Sequence, residues 1–192
     1  MTRWLAGSVV AAVCVLVAGC STTPSPAPPT PTTDIVAARR AAGIEDCPTS
    51  NGAPVAGGLP ALSLDCLGGD TKVALSSLRG PLLMNLWAQW CLPCRQEAKV
   101  LQAFHAQHGD EVAMLGIDYN DPQPDLAVEF AQLVGWKYPQ LADMEKTIEA
   151  PLAVPGIPMS LLIDADGRIV ARHPGPFDSV EELQSWVDEG LS

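Results

Sequence analysis

The chain has 192 residues, of which 47% are hydrophobic and 17% are charged. It can therefore bury a core, and wholesale disorder is excluded. The sequence carries 11 Lys and Arg against 22 Asp and Glu, a formal net charge of −11. Because such a surface repels phosphate backbones, the charge argues against nucleic-acid binding. The length fits one ordinary domain with appendages.

The N-terminal segment MTRWLAGSVVAAVCVLVAGC places Arg3 before an apolar run from Trp4 to Ala18. A short basic start, an apolar middle and small residues before a cut are typical of a secretory signal. The run has about 15 residues, fewer than the roughly 20 that a spanning helix needs. LVAGC resembles a bacterial lipobox, in which the Cys becomes the lipidated N-terminus. We therefore predict a signal peptide at residues 1–19 and lipidation of Cys20, with ordinary cleavage nearby as the alternative.

The segment STTPSPAPPTPTT (21–33) is rich in Pro and Thr and offers almost nothing to bury. Such a sequence stays extended, partly as polyproline II. It is either a stalk that holds a domain clear of the bilayer or a disordered tail. Both interpretations give the same organisation, with a linker at residues 20–44 and a folded domain at residues 45–192.

The remaining sequence alternates strand and helix patterns. Two short extended runs flank Gly68-Gly69-Asp70 and predict a hairpin, and the continuous apolar run PLLMNLWA (81–88) predicts a buried central strand. The pattern then predicts a helix after Cys91 over 93–109, a strand at 111–119, and helices at 124–135 and 144–154. It also predicts a hairpin around the Asp164–Gly167 turn and a final amphipathic helix at 179–191. This order predicts an α/β fold with mixed strands.

Cys91 and Cys94 form a Cys-x-x-Cys pair in WAQWCLPCRQEAK. A zinc site needs four ligands, and Cys47 and Cys66 are too far apart in sequence to supply a second pair. Haem attachment needs a His directly after the second Cys, where this sequence has Arg95. A purely structural bridge over so small a loop would stabilise little. Redox chemistry is the remaining interpretation.

The position of Cys91 supports redox chemistry, because it follows a buried strand and opens a helix. Free N–H groups and the helix dipole at that point favour an anion, which raises the thiolate fraction that attacks disulfides. Cys94 lies one helical turn further and can resolve the resulting mixed disulfide.

LLMNLWAQWCLPCRQE, together with GIPMSLLIDADGRIV some sixty residues later, resembles thioredoxin-fold proteins. More narrowly, it resembles the TlpA/ResA-like membrane-anchored thiol–disulfide oxidoreductases found outside the bacterial cytoplasm. The resemblance implies a thioredoxin fold, with a mixed sheet flanked by helices on both faces, an N-terminal β-hairpin and a helical insertion after the β-α-β unit. It implies that Cys91 is the exposed nucleophile and Cys94 the resolving thiol.

The resemblance also implies that the Ile157–Pro158 bond is cis and receives the partner's extended backbone. The residue after this Pro is usually Thr and is Met159 here, which leaves partner choice and redox tuning open. Trp90 is expected either to shield the site and contact the partner or to pack in the core.

Two further positions near the pair are polar. Thioredoxin has a buried Asp on the strand that enters the motif, and this chain has Asn85, which cannot take a proton from Cys94. The resemblance gives that role to Glu97, beside the inward stripe of the helix. The alternative is a solvated carboxylate that favours the helix dipole.

Cys47 and Cys66 are expected to form a structural disulfide, because two leftover cysteines outside the cytoplasm are usually bridged. Such a bridge would close a loop of about 20 residues and contribute about 3 kcal/mol. A second redox relay is the alternative.

By resemblance, the protein is a reductant of partner-protein disulfides, such as those of apocytochrome c, and draws electrons from a membrane donor. We expect a monomer without cofactor or metal, held by lipid on the extracytoplasmic side of the cell membrane. The alternatives are an oxidant that introduces disulfides and a thioredoxin-fold copper chaperone that uses the two cysteines with His173.

Overall fold

The computed structural model describes residues 34–49 and 51–192, and the described part is built on a seven-stranded mixed sheet. The spatial order of the strands is β2-β1-β5-β4-β3-β6-β7, with parallel pairing between β3, β4 and β5 and antiparallel pairing elsewhere. The strands are β1 (Ser63–Cys66), β2 (Lys72–Ala74), β3 (Leu82–Trp87), β4 (Ala113–Tyr119), β5 (Gln140–Asp143), β6 (Met159–Ile163) and β7 (Ile169–Pro174).

The helices are α1 (Ile35–Ala42), α2 (Leu92–His108), α3 (Pro124–Val134), α4 (Glu149–Leu152) and α5 (Val180–Leu191), with a 3-10 turn at Leu75–Ser77. Within the described residues, no helix combines the length and the apolar character needed to cross a bilayer. The predicted signal peptide, Cys20 and most of the predicted linker lie outside the described residues.

The two faces of the sheet are covered differently. Every residue of β3 is buried, which shows that both faces are packed and explains its continuous apolar sequence. One face, which we call the helix face, carries α1, α2, α3 and α5 over side chains such as Leu83, Trp87 and Leu162. The opposite face is covered by the N-terminal segments, the 3-10 turn and α4. The predicted mixed sheet with helices on both faces is confirmed, although the four longer helices share one face.

The helix that follows the Cys-x-x-Cys motif begins and ends where the sequence predicts. Cys91 is the N-cap residue of α2, Pro93 lies in its first turn, and Gly109 ends it. The side chains of Ala98, Leu101 and Phe104 point into the core at helical spacing. Local sequence therefore fixes where α2 begins, and its apolar stripe fixes which side faces the sheet.

The folded part of the chain starts before residue 45, inside the segment that the sequence interpretation assigned to the linker. Asp34 caps α1 by accepting the N–H of Ala37 at 3.1 Å, and Gly43 ends the helix with a positive φ. The buried side chain that docks α1 is Arg39, which donates to the carbonyl oxygens of Gly68 and Glu45. The prediction failed because the helix has only eight residues and its small apolar side is completed by a buried arginine, a residue type that does not indicate a core-facing helix.

The segment after α3 also differs from the prediction. The expected helix at 144–154 is reduced to the short α4, because the Asp143 carboxylate accepts the N–H groups of Thr147 and Ile148 and holds a turn there. Strand β5 precedes this turn and was not predicted. It has only four residues, and its pairing with β1 and β4 decides its conformation.

Candidate active site

The motif cysteines are joined by a disulfide at the point where β3 gives way to α2. The Cα atoms of Cys91 and Cys94 lie 5.3 Å apart. The backbone N–H of Cys94 donates to the sulfur of Cys91 at 3.2 Å, so this sulfur takes the place of an N-cap oxygen. Cys91 is 4% exposed and Cys94 is fully buried. In this oxidised form, Cys91 is therefore the nearer of the two to solvent but is not openly exposed.

A shallow groove of about 250 Å³ lies beside the start of α2. The Ile157–Pro158 peptide bond that borders it is cis. Its lining is uncharged and consists of Pro93, Pro155, Gly156, Ile157, Pro158, Pro174, Gly175 and Pro176. The groove thus brings the first turn of α2 together with the loop before β6 and the loop after β7.

Trp90 is 50% exposed, so it is a surface side chain and not a core residue. Its indole N–H donates to the carbonyl oxygen of Asn120 at 3.2 Å. Met159 follows the cis proline and is buried in the cluster on the sheet face opposite α2. Its side chain therefore packs away from the helix that carries the cysteines.

Glu97 is 1% exposed and lies on the buried side of α2, one turn after Cys94. Its carboxylate accepts the side-chain N–H of Asn85 at 3.0 Å and the backbone N–H of Phe177 at 3.2 Å. Burial raises the pKa of Glu97 to about 7, although both hydrogen bonds act in the opposite direction. The alternative interpretation of Glu97 as a solvated carboxylate on the helix surface is therefore wrong. Glu97 can exchange a proton near neutral pH.

Asn85 connects Glu97 to the next strand. Its side-chain N–H₂ group also donates to the hydroxyl of Ser160 on β6 at 3.2 Å, and both residues are fully buried. The strands β3 and β6 pair at these two positions, which places their side chains next to each other on the helix face.

Two acidic residues near the site were not identified from the sequence. Asp118 and Asp121 are both fully buried at the end of β4, and the carboxylate of Asp121 accepts the backbone N–H of Gln89 at 3.3 Å. Gln89 lies in the turn that leads into Cys91. The segment IDYND at the end of a buried strand was an available signal, because parallel strands end at the same edge of a sheet.

The other cysteine pair lies on the opposite face. Cys47 and Cys66 form a disulfide with a Cα–Cα distance of 5.9 Å, and both are buried in the apolar cluster that contains Leu64, Val73 and Leu141. The sheet separates them from Cys91 and Cys94, which belong to the core on the helix face. The bridge joins the segment after α1 to the last residue of β1.

His173 does not lie in a group of metal ligands in the described structure. Its ring stacks on Phe177 with centroids 4.0 Å apart and contacts Trp186 edge-on. Residues 34–49 and 51–192 contain no group of three or more His, Cys, Asp or Glu side chains that could hold a metal ion.

The fold and this site define a thioredoxin-fold thiol–disulfide oxidoreductase. Residues 55–172 match the model of the AhpC/TSA family, and the chain belongs to that family. It is 35% identical over 134 residues to the thiol:disulfide interchange protein DsbE of Pseudomonas fluorescens biotype C, a match that covers 68% of this chain and 70% of that protein.

A second relative is the thiol-disulfide oxidoreductase ResA of Bacillus thuringiensis (strain Al Hakam), which is 29% identical over 119 residues, covering 60% of this chain and 67% of that protein. The chain spans between 56% and 70% of the length of three curated relatives that it matches. Among solved structures, MTB DsbF in its mixed oxidized and reduced forms has a TM-score of 0.60 at 30% identity and covers 69% of this chain and 99% of its own. The chain is thus similar to thiol–disulfide oxidoreductases of the DsbE and ResA type.

Proposed function

We propose that this protein reduces disulfides of partner proteins outside the cytoplasm, with Cys91 and Cys94 as its redox couple. The observation that carries the proposal is the buried carboxyl of Glu97 one turn after a disulfide at a helix start. The N–H groups and dipole at the helix start stabilise a thiolate on Cys91, and the carboxyl of Glu97 can accept the proton of Cys94. Relatives named as interchange proteins and oxidoreductases support the reaction class.

The reaction starts from the dithiol form. The Cys91 thiolate attacks one sulfur of the partner disulfide, a mixed disulfide forms, and the other partner sulfur leaves as a thiolate. Glu97 takes the proton of Cys94, whose sulfur then attacks Cys91. The second partner thiolate leaves, and the Cys91–Cys94 disulfide remains. Two electrons pass to the partner, and a membrane donor returns two electrons to the enzyme.

The groove beside cis-Pro158 serves this reaction as the place where the partner backbone lies. Its uncharged lining accepts an extended, apolar segment of the partner protein. This segment flanks the partner disulfide that Cys91 attacks. Trp90, half exposed next to Cys91, provides apolar contact area on the adjacent rim.

The N-terminal sequence supports a lipid anchor on Cys20 that keeps a monomeric domain at the extracytoplasmic side of the cell membrane. Cys20→Ser should release the protein from the membrane fraction or leave the signal uncleaved. An unchanged membrane fraction together with an unchanged mass would contradict the anchor.

The direction of electron flow is tested by the reduction potential of the Cys91–Cys94 couple. A potential of about −270 mV identifies a thioredoxin-like reductant, and one of about −120 mV identifies a strong oxidant, which is the alternative function. The same experiment includes reduction of an apocytochrome c disulfide by the dithiol form. Reduction of insulin without reduction of apocytochrome c would support the proposed reaction class and would contradict a role in cytochrome c maturation.

A further inference from the structure

Asp118 is a buried acid that the reaction described above does not use. It lies on β4 in register with Trp87 of β3 and is fully buried. None of the described residues donates a hydrogen bond to either of its carboxyl oxygens. An ionised carboxylate in such a place would be costly, because nothing replaces the water that solvated it. The surroundings therefore favour a carboxyl that keeps its proton.

Asp121 interacts with Asp118 and, unlike Asp118, accepts hydrogen bonds from backbone N–H groups. Its two carboxylate oxygens accept the backbone N–H groups of Gln89 at 3.3 Å and Gln123 at 3.0 Å. The carbonyl oxygen of Gln89 accepts a hydrogen bond from Arg95 at 3.0 Å, so the turn before Cys91 is held from both sides. Trp90 adds a third contact to this loop through Asn120.

The two acids act on each other. Burial raises the pKa of Asp118 to about 9, and the charge of Asp121 adds to the increase. Asp121 is the charged group that contributes to this shift. The other charged side chains on the helices packed over this part of the sheet are Arg95, Glu97 and Lys99 of α2 and Asp125 and Glu129 of α3. Lys99 donates to the carbonyl oxygen of Val134, and Asp125 and Glu129 are exposed.

We propose that Asp118 holds a proton beside Asp121 and thereby keeps in place the turn that presents Cys91. When this proton is lost to solvent, two like charges stand next to each other in a poorly solvated site. Asp118 is fixed by strand pairing on both sides. The repulsion therefore moves the loop that carries Asp121, the bond to Gln89 breaks, and Cys91 becomes more accessible. Asp118 is a positioning residue in this proposal, since it acts on the cysteine through the turn.

The test uses a Cys94→Ser background, in which Cys91 is the one free thiol of the motif, and follows its alkylation by iodoacetamide between pH 5 and pH 11. The rate should rise as the Cys91 thiolate forms and reach a plateau. It should then rise a second time, at least threefold, near pH 9 as Asp118 ionises. Asp118→Asn should keep the plateau and lose the second rise, because Asn places a neutral group of similar size beside Asp121.

Asp125→Asn is the matched control, since it removes one exposed negative charge from the same part of the chain and should leave both rises in place. A second rise that persists in Asp118→Asn would overturn the proposal. A direct measurement on the unmutated chain guards against misfolding of the variant. The carboxyl carbon of Asp118, followed by NMR, should titrate near pH 9, and a midpoint near the ordinary value of about 4 would also overturn the proposal.

Discussion

The two disulfides of this protein lie on opposite faces of one sheet, in surroundings of different polarity. Cys91 and Cys94 share the helix face with the buried polar side chains of Asn85, Glu97 and Ser160. Cys47 and Cys66 belong to the apolar cluster on the opposite face and join two segments of the fold. Both bonds are buried, so exposure does not distinguish the two disulfides.

The difference lies in what surrounds each sulfur. Cys91 has the N–H groups of a helix start, and Cys94 has a carboxyl one turn away whose pKa lies near neutrality. Exchange needs a thiolate and a place for a proton, and this face provides both. Neither Cys47 nor Cys66 is the first residue of a described helix, and on the opposite face the bond limits the freedom of the unfolded chain.

The largest effect is expected from the motif cysteines themselves. Cys94→Ser should accumulate mixed disulfides with partner proteins, because Cys91 still attacks and nothing resolves the product. Cys91→Ser should trap almost nothing. Both variants should lose multiple turnover in insulin reduction by on the order of a thousandfold or more. Trapped complexes are counted on non-reducing gels after acid quenching.

A pair of serine substitutions at Cys47 and Cys66 is the matched control for this experiment, and it should leave trapping by the Cys94→Ser protein unchanged. Equal trapping by Cys91→Ser and Cys94→Ser would show that the position at the helix start does not select the nucleophile.

The second effect concerns the proton acceptor. In stopped-flow reduction of a dithiobis-nitrobenzoate reagent, the first released thiolate reports attack by Cys91 and the second reports resolution by Cys94. The resolving rate should rise with pH through about 7, because Glu97 accepts a proton only when it is ionised. Glu97→Gln should remove this inflexion and slow the resolving step on the order of a hundredfold.

The attack step is the internal control, since Glu97→Gln should leave its rate close to that of the unmutated protein. If the inflexion near pH 7 persists in Glu97→Gln, another group accepts the proton of Cys94.

The sequence predicts the parts of this site that depend on local patterns. The N-cap position of Cys91, the span of α2 and the buried strand before it follow from residues close to one another in the chain. The proton-active group and its partners depend on contacts across the sheet. Glu97 meets Phe177 from 80 residues away, and Asp121 meets Gln89 through strand pairing. Helix α1 was missed in part for the same reason, because one acceptor of Arg39, the carbonyl oxygen of Gly68, lies in the β1–β2 turn 29 residues away.

A smaller effect is expected from the disulfide on the apolar face. Replacing both Cys47 and Cys66 by Ala should lower the free energy of unfolding by about 3 kcal/mol, since the bridge closes a loop between residues 19 positions apart. Insulin reduction should stay unchanged below the melting transition. In the unmutated protein, a mild reductant that opens Cys91–Cys94 should leave this bridge closed, which mass mapping of linked peptides would check. Loss of exchange activity in the folded double variant would make the bridge a relay.

The smallest effect is a gain in stability at the redox site. The pKa of Glu97 is raised by burial from 4.5 to about 7, so its contribution to stability is fully present below pH 4.5 and is lost as the pH rises through 7. Glu97→Gln removes this loss of stability with pH. The Gln side chain, however, can accept only one of the two hydrogen bonds that the Glu97 carboxylate accepts. We therefore expect the oxidised variant to be more stable by about 1 kcal/mol at pH 8 and to lose this advantage at pH 4. Urea unfolding at both pH values measures the difference, with Glu129→Gln, an exposed acid on α3, as the matched variant that should show neither change. A Glu97→Gln protein that is less stable than the unmutated chain at pH 8 would contradict this prediction. It would mean that the ionised carboxylate stabilises the fold.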